Sequence, residues 1–106
     1  MMPADAFTKA ERRKLRELAS LAYERELSAA LRGLGADFAA WRAENINAFD
    51  LADAIHAFHN GIARDLWSLY NRLKPPMIVA SALERGVLNS KDVPPPLRAR
   101  LDARAV

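Results

Sequence analysis

Residues 47–76, NAFDLADAIHAFHNGIARDLWSLYNRLKPP, decide the fold. Apolar side chains recur at Leu51, Ile55, Phe58, Ile62, Leu66, Leu69 and Leu73, at steps of four, three, four, four, three and four. That spacing keeps one stripe on one side of an α-helix. Asn47 is a good N-cap, with Asp50 three residues on beside the positive helix end. Ile46 and Leu51 flank the cap as a hydrophobic staple. Lys74-Pro75-Pro76 stops the helix, because a residue before proline is pushed out of the α region. The reading is a helix over about 48–73, close to 40 Å long.

Upstream, Thr8 followed by Glu11 forms a capping box. The apolar positions then run Leu15, Leu18, Ala19, Ala22, Tyr23, Leu27, Leu31, Leu34, Phe38 and Trp41. This stripe passes Gly33 and Gly35 without losing phase, which favours one helix over about 9–44. The competing reading ends a helix near Arg32 with Gly33 as a left-handed cap, breaking it at Gly33–Gly35. The short connection at 45–47 makes an antiparallel hairpin of the two helices natural. Downstream, a proline start and Gly86 bound a short helix over about 77–85. Ser90-Lys91-Asp92 reads as a turn and Val93-Pro94-Pro95-Pro96 as a stiff extended segment. Leu97 and Leu101 mark a short basic helix over about 95–104.

Composition agrees with an all-α class. The 106 residues include 21 Ala and 14 Leu but only nine Val, Ile and Thr together, and no strictly alternating stretch competes with the helices. One domain over 1–106 with a modest core is expected at this length. The absence of cysteine excludes disulfide frameworks, thiolate zinc sites, iron–sulfur clusters and thiol nucleophiles. No apolar run is long enough to span a bilayer, and no basic start precedes an apolar stretch at the N-terminus. A cytoplasmic domain without a cofactor is therefore expected. The formal net charge of +3 divides as +2 over 1–35, −3 over 36–70 and +4 over 71–106. An acidic middle between basic ends suits self-association or an acidic partner.

Both histidines, an Asn-Gly pair and an Arg-Asp pair fall together in the second helix. Asp53, His56, Asn60 and Arg64 recur at steps of three or four as a polar strip. It reads either as a solvated face or as a recognition face in which Arg64 grips a carboxylate or phosphate. His59 lies between Ile55 and Ile62, so it is expected to lean on the helix–helix interface and to need a partner such as Glu24. Asp53, His56 and His59 could supply three metal ligands, although no His-Glu-x-x-His or repeated Glu-x-x-His pattern supports that reading. Gly61 breaks the local rule; close approach of another helix, with Trp67 or Trp41 packed over the gap, is the expected reason, and a helix break at Asn60-Gly61 is the competing reading, although the apolar phase carries through it. No hydroxyl sits in a nucleophile-elbow context.

Phe58-His59-Asn60-Gly61 followed by Arg64-Asp65-Leu66-Trp67 resembles segments of small uncharacterised bacterial helical proteins, which carry Phe-His-Asn/Asp-Gly and then Arg-acid-Leu-aromatic. Val87 to Pro94 fits the same resemblance. It implies an all-helical fold and attaches no activity, so no catalytic residue is carried over.

Lys9, Arg12, Arg13 and Arg16 share one helix face, and Arg98, Arg100 and Arg104 add a second basic patch. Together they could neutralise several phosphates. The aromatics Phe38, Trp41, Phe49, Phe58, Trp67 and Tyr70 exceed what the seam of one hairpin requires. The expected architecture is therefore a long helical hairpin with two short C-terminal helices, completed to four helices by dimerisation. The expected function is a non-enzymatic protein–protein interaction module of accessory, adaptor or inhibitor-like type. Asp53, His56, His59, Asn60, Arg64 and Trp67 form its candidate surface. A nucleic-acid-associated protein using the basic patches, and a small metalloprotein or enzyme centred on His56 and His59, are the alternatives.

Overall fold

A computed structural model describes residues 7–105, with side chains as far as Asp102. The described residues contain helices and turns and no strand. α1 spans Lys9–Arg42 without interruption at either glycine. Its start is the expected reciprocal cap: the Glu11 N–H donates to Thr8 Oγ1 (3.1 Å) and the Thr8 N–H to Glu11 Oε1 (2.8 Å). Its end carries a signal the sequence hides. Glu44 takes the left-handed conformation (φ 62°), and the Asn45 and Glu44 amides bond back to the carbonyls of Ala40 and Trp41. This is a Schellman closure with glutamate where glycine is usual, and it stops α1 two residues before the expected end.

α2 spans Ala48–Phe58 behind the Asn47 cap, where the Asp50 N–H donates to Asn47 Oδ1 (2.8 Å) and the Asn47 N–H returns to Asp50 Oδ2 (3.2 Å). The expected single helix over 48–73 is interrupted. Residues His59–Ala63 form one π-helical turn, inside which Gly61 leaves the helical region (φ −104°, ψ −106°). α3 then spans Arg64–Arg72. An extra residue inserted in a helix needs one position that departs from regular geometry, and glycine is the residue with that freedom. The expected close approach of another helix is corrected here, because no atom lies within 4 Å of where a Gly61 Cβ would stand.

Leu73 and Lys74 are extended before the prolines, and α4 spans Pro75–Glu84 with proline in its first turn. Gly86 closes it with φ 78°, while the Val87 and Leu88 amides both return to the Ala82 carbonyl. A turn over 89–92 follows, in which Asp92 and Asn89 side chains accept from the Asn89 and Lys91 amides. α5 spans Pro95–Ala105. Pro95 and Pro96 therefore occupy a first helical turn rather than an extended segment, a position where a missing N–H costs nothing.

α1 touches α2, the π turn, α3 and α4, and α4 touches α5. The described residues extend over 63 × 25 × 23 Å. The core sits at one end of that length. Phe7, Leu15, Leu18 and Ala22 from the start of the chain and of α1 pack with Val79, Ala82, Leu88, Val93, Leu97 and Leu101, and Tyr70, Leu83 and Val87 close over them. The second half of the α1 stripe, expected to be seam, is not buried. Leu31 is 47% exposed and Trp41 42%. Leu51 and Leu66 are the buried positions on α2 and α3.

Candidate interaction surface

The end of the molecule away from the core carries most of its large exposed apolar side chains. Phe49 is 82% exposed, Trp67 61% and Ile62 47%, beside Leu31, Trp41 and Ile55. They come from the second half of α1, from α2, from the π turn and from α3. Two helices side by side leave the outer flanks of both apolar stripes in water, since a stripe is wider than a single contact line. A run of such residues on neighbouring elements is the usual mark of an interaction site.

A cleft of about 430 Å³ lies within this region. Tyr23 and Leu27 of α1 form one wall, and His59, Asn60, Ala63, Arg64 and Trp67 form the other. His59, Ala63 and Trp67 follow one another at steps of four, as do Asn60 and Arg64, so the second wall is one face of two successive turns. Of the six candidate surface residues, the structure brings His59, Asn60, Arg64 and Trp67 together. Asp53 and His56 are exposed on α2 outside this cleft. His59, expected to need a buried partner, is itself exposed, and Glu24 instead accepts from Ser28 Oγ at 2.9 Å. Among the described residues no three His, Asp or Glu side chains gather as a metal would require, so Asp53, His56 and His59 do not form the triad that the metal alternative needs. Tyr23 and Leu27 were not singled out, because in the sequence they read only as positions in a helix stripe.

Several bases of the expected patches are engaged within the fold. Arg12 Nη1 donates to the Phe7 carbonyl at 2.7 Å, and Arg13 Nε faces Glu17 at 3.5 Å. Arg100 pairs with Glu11 and lies 4.6 Å over the Phe7 ring. The Thr8 amide, together with Arg100, holds the Glu11 carboxyl below its ordinary range. Lys9 and Arg16 are exposed and Arg98 is half-buried. The Arg104 side chain lies outside the described residues.

Polar contacts that the sequence did not reveal tie α1 to the C-terminal half. Arg25 reaches across to Asp92 in a two-pronged contact (2.8 and 3.2 Å) and donates to the Val87 carbonyl at 3.0 Å. Glu26 accepts from the Tyr70 hydroxyl at 2.5 Å and pairs with Arg85. Residues about 45 to 65 positions apart carry no local spacing signal, which is why neither contact could be read in advance.

Comparison of the chain with family models, with curated proteins and with solved structures finds no match. The surface is therefore interpreted on its own chemistry.

Proposed function

We propose that the protein is a non-enzymatic helical interaction module that acts first by self-association. In this reading α1 and the α2–α3 stretch form an antiparallel hairpin arm, and two arms pair into a four-helix arrangement. The observation that carries it is the exposure of Leu31, Trp41, Phe49, Ile55, Ile62 and Trp67 on stretches outside the main core cluster, where Leu51 and Leu66 are the buried positions of α2 and α3. Removing such side chains from water favours association, although Ile55, Trp41, Leu31 and Ile62, each already more than half covered, add only part of the roughly 1.5–3 kcal/mol of a full burial.

A second copy is the proposed occupant because one exposed apolar patch then serves both sides of the interface. Residues 36–70 carry −3 while both flanking segments are positive. Pairing arm against arm sets these two acidic segments side by side, so apolar contact carries the association and added salt, by screening like charges, favours it. A two-fold interface of this kind uses the same patch on both chains.

The test replaces two exposed apolar residues together, Ile55→Ser with Ile62→Ser. The account expects unchanged helix content by circular dichroism and a fall in sedimentation mass from two chains to one. An assembly state unaffected by the double substitution overturns self-association through this face. The nucleic-acid alternative would instead appear as absorbance at 260 nm that is lost at high salt.

A further inference from the structure

Three clefts can be compared by the charges that line them. The one at the α1–α2 turn, about 780 Å³, includes Arg42 together with the carboxylates Glu44 and Asp50, and Asp50 is already committed to the Asn47 cap. The one between α4 and α5, about 670 Å³, includes Glu84 and Asp102 and no cation. The cleft beside the π turn differs from both: its polar groups are Arg64, His59 and Asn60, with no carboxylate among its lining residues. Arg64 has no ion-pair partner among the described residues.

The walls add a second constraint. Tyr23 and Trp67 present rings, and Leu27 and Ala63 present aliphatic surface. A volume of about 430 Å³ falls within the usual range for small-molecule sites, which pair mostly apolar walls with a few polar groups that fix orientation. The guanidinium is a planar fork that matches a carboxylate at two points. The single cation of the cleft balances the charge of a monoanion in full and that of a phosphate dianion only by half, so a carboxylate is the better match. Rings on the walls suit a flat apolar body.

We propose that this cleft is a binding site for a small aromatic carboxylate, its carboxylate on Arg64 beside His59 and Asn60 and its ring between Tyr23 and Trp67. The site lies within one chain, and it shares Trp67 with the face proposed for self-association.

The probe is phenylacetate, with phenylacetamide as the uncharged match, titrated into uniformly 15N-labelled protein whose mass is measured in the same buffer. The expected result is saturable shifts of the backbone amides of residues 59–67, with phenylacetamide at least about tenfold weaker. Arg64→Gln, an exposed position whose loss leaves the core intact, is expected to erase the difference between the two probes. Three results overturn the proposal: no saturation by about 10 mM phenylacetate, where affinity would be too weak to matter; shifts centred elsewhere; or undiminished preference for phenylacetate in Arg64→Gln. Because mass is measured alongside, a monomer that binds phenylacetate contradicts self-association and leaves the cleft assignment standing. A dimer that does not bind it is titrated again as the Ile55→Ser/Ile62→Ser variant: binding there keeps the cleft and shows that the interface covers it, and no binding overturns the cleft while self-association stands.

Discussion

The ring of Tyr23 lies flat on the ring of Tyr70, with centroids 4.6 Å apart and planes within 1° of parallel. The stack fastens α1 to α3 at the edge of the core, and the Tyr70 hydroxyl continues from it to Glu26. One face of the molecule from this point is packed against α4 and α5. Towards the other end lies Tyr23's second neighbourhood, the cleft beside the π turn. The two tyrosines thus mark where the core gives way to the exposed arm.

Burial and then the Glu26 hydrogen bond push the Tyr70 phenol up to about 12 from its ordinary 10. The folded state therefore favours the neutral phenol. Its contribution is complete below pH 10 and is lost as pH rises from 10 through about 12. Urea unfolding at pH 9 and pH 11.5 should reveal a drop in stability that Tyr70→Phe largely removes, although the variant starts from a lower value for want of the hydrogen bond. An equal drop in both proteins would contradict this assignment.

Asp92 titrates in the opposite sense. Hydrogen bonds from the Arg25 guanidinium and the Asn89 amide hold its carboxyl down to about 2 from 3.8. A depressed carboxylate contributes above its unfolded value and loses that contribution as pH falls from about 4 towards 2. Asp92→Asn should be less stable than the parent at pH 7, and the gap should narrow as the solution is acidified through that window. Thermal melts at pH 7, 4 and 2.5 measure it. A gap that is constant with pH would remove the Arg25–Asp92 pair from the account of acid stability.

Glu44 holds a left-handed conformation that L side chains reach at a cost of about 1–2 kcal/mol. Glu44→Gly should raise stability by about 1 kcal/mol through the Schellman closure of α1. Gly33→Ala should do the same by up to about 1 kcal/mol within the helix, since nothing lies within 4 Å of the added methyl. Denaturant midpoints test both, and a loss of stability in Gly33→Ala would mean that α1 is not continuous there.

Leu15 and Leu31 belong to the same helix stripe and should behave differently. Leu15 is fully buried and Leu31 is 47% exposed. Leu15→Ala should destabilise the fold by about 2–5 kcal/mol. Leu31→Ala should leave the unfolding of an isolated chain within about 1 kcal/mol of the parent and act instead on association. Unfolding at two protein concentrations separates these effects.

How far the sequence could be read follows from which features are local. The caps at Thr8–Glu11 and Asn47–Asp50, the proline stop after Leu73 and the Gly86 terminus are short-range, and each is visible as a residue pattern. Continuity of α1 through Gly33 and Gly35 was legible from phase alone. The π turn was legible only as the competing reading of a break at Asn60-Gly61: a single inserted residue leaves the apolar spacing intact on either side, which favoured a continuous helix. The location of the core was also hidden, because Leu15 and Leu31 look alike until α4 and α5 choose which half of α1 to cover. At the cleft, the π turn and α3 contributed four residues that the sequence placed on a candidate surface. Tyr23 and Leu27 come from the opposite helix, and their distance along the chain left no trace in spacing.

The central claim is that the exposed apolar arm is covered by a second copy of the chain. The most direct test is the mass of the purified protein by light scattering after size exclusion, at low and at high salt, with the 260/280 nm absorbance ratio recorded. The account predicts a mass of two chains that persists at high salt, as an interface built on apolar side chains should, with a clean protein spectrum. A single chain at every concentration, or a species that carries 260 nm absorbance and dissociates with salt, would contradict it.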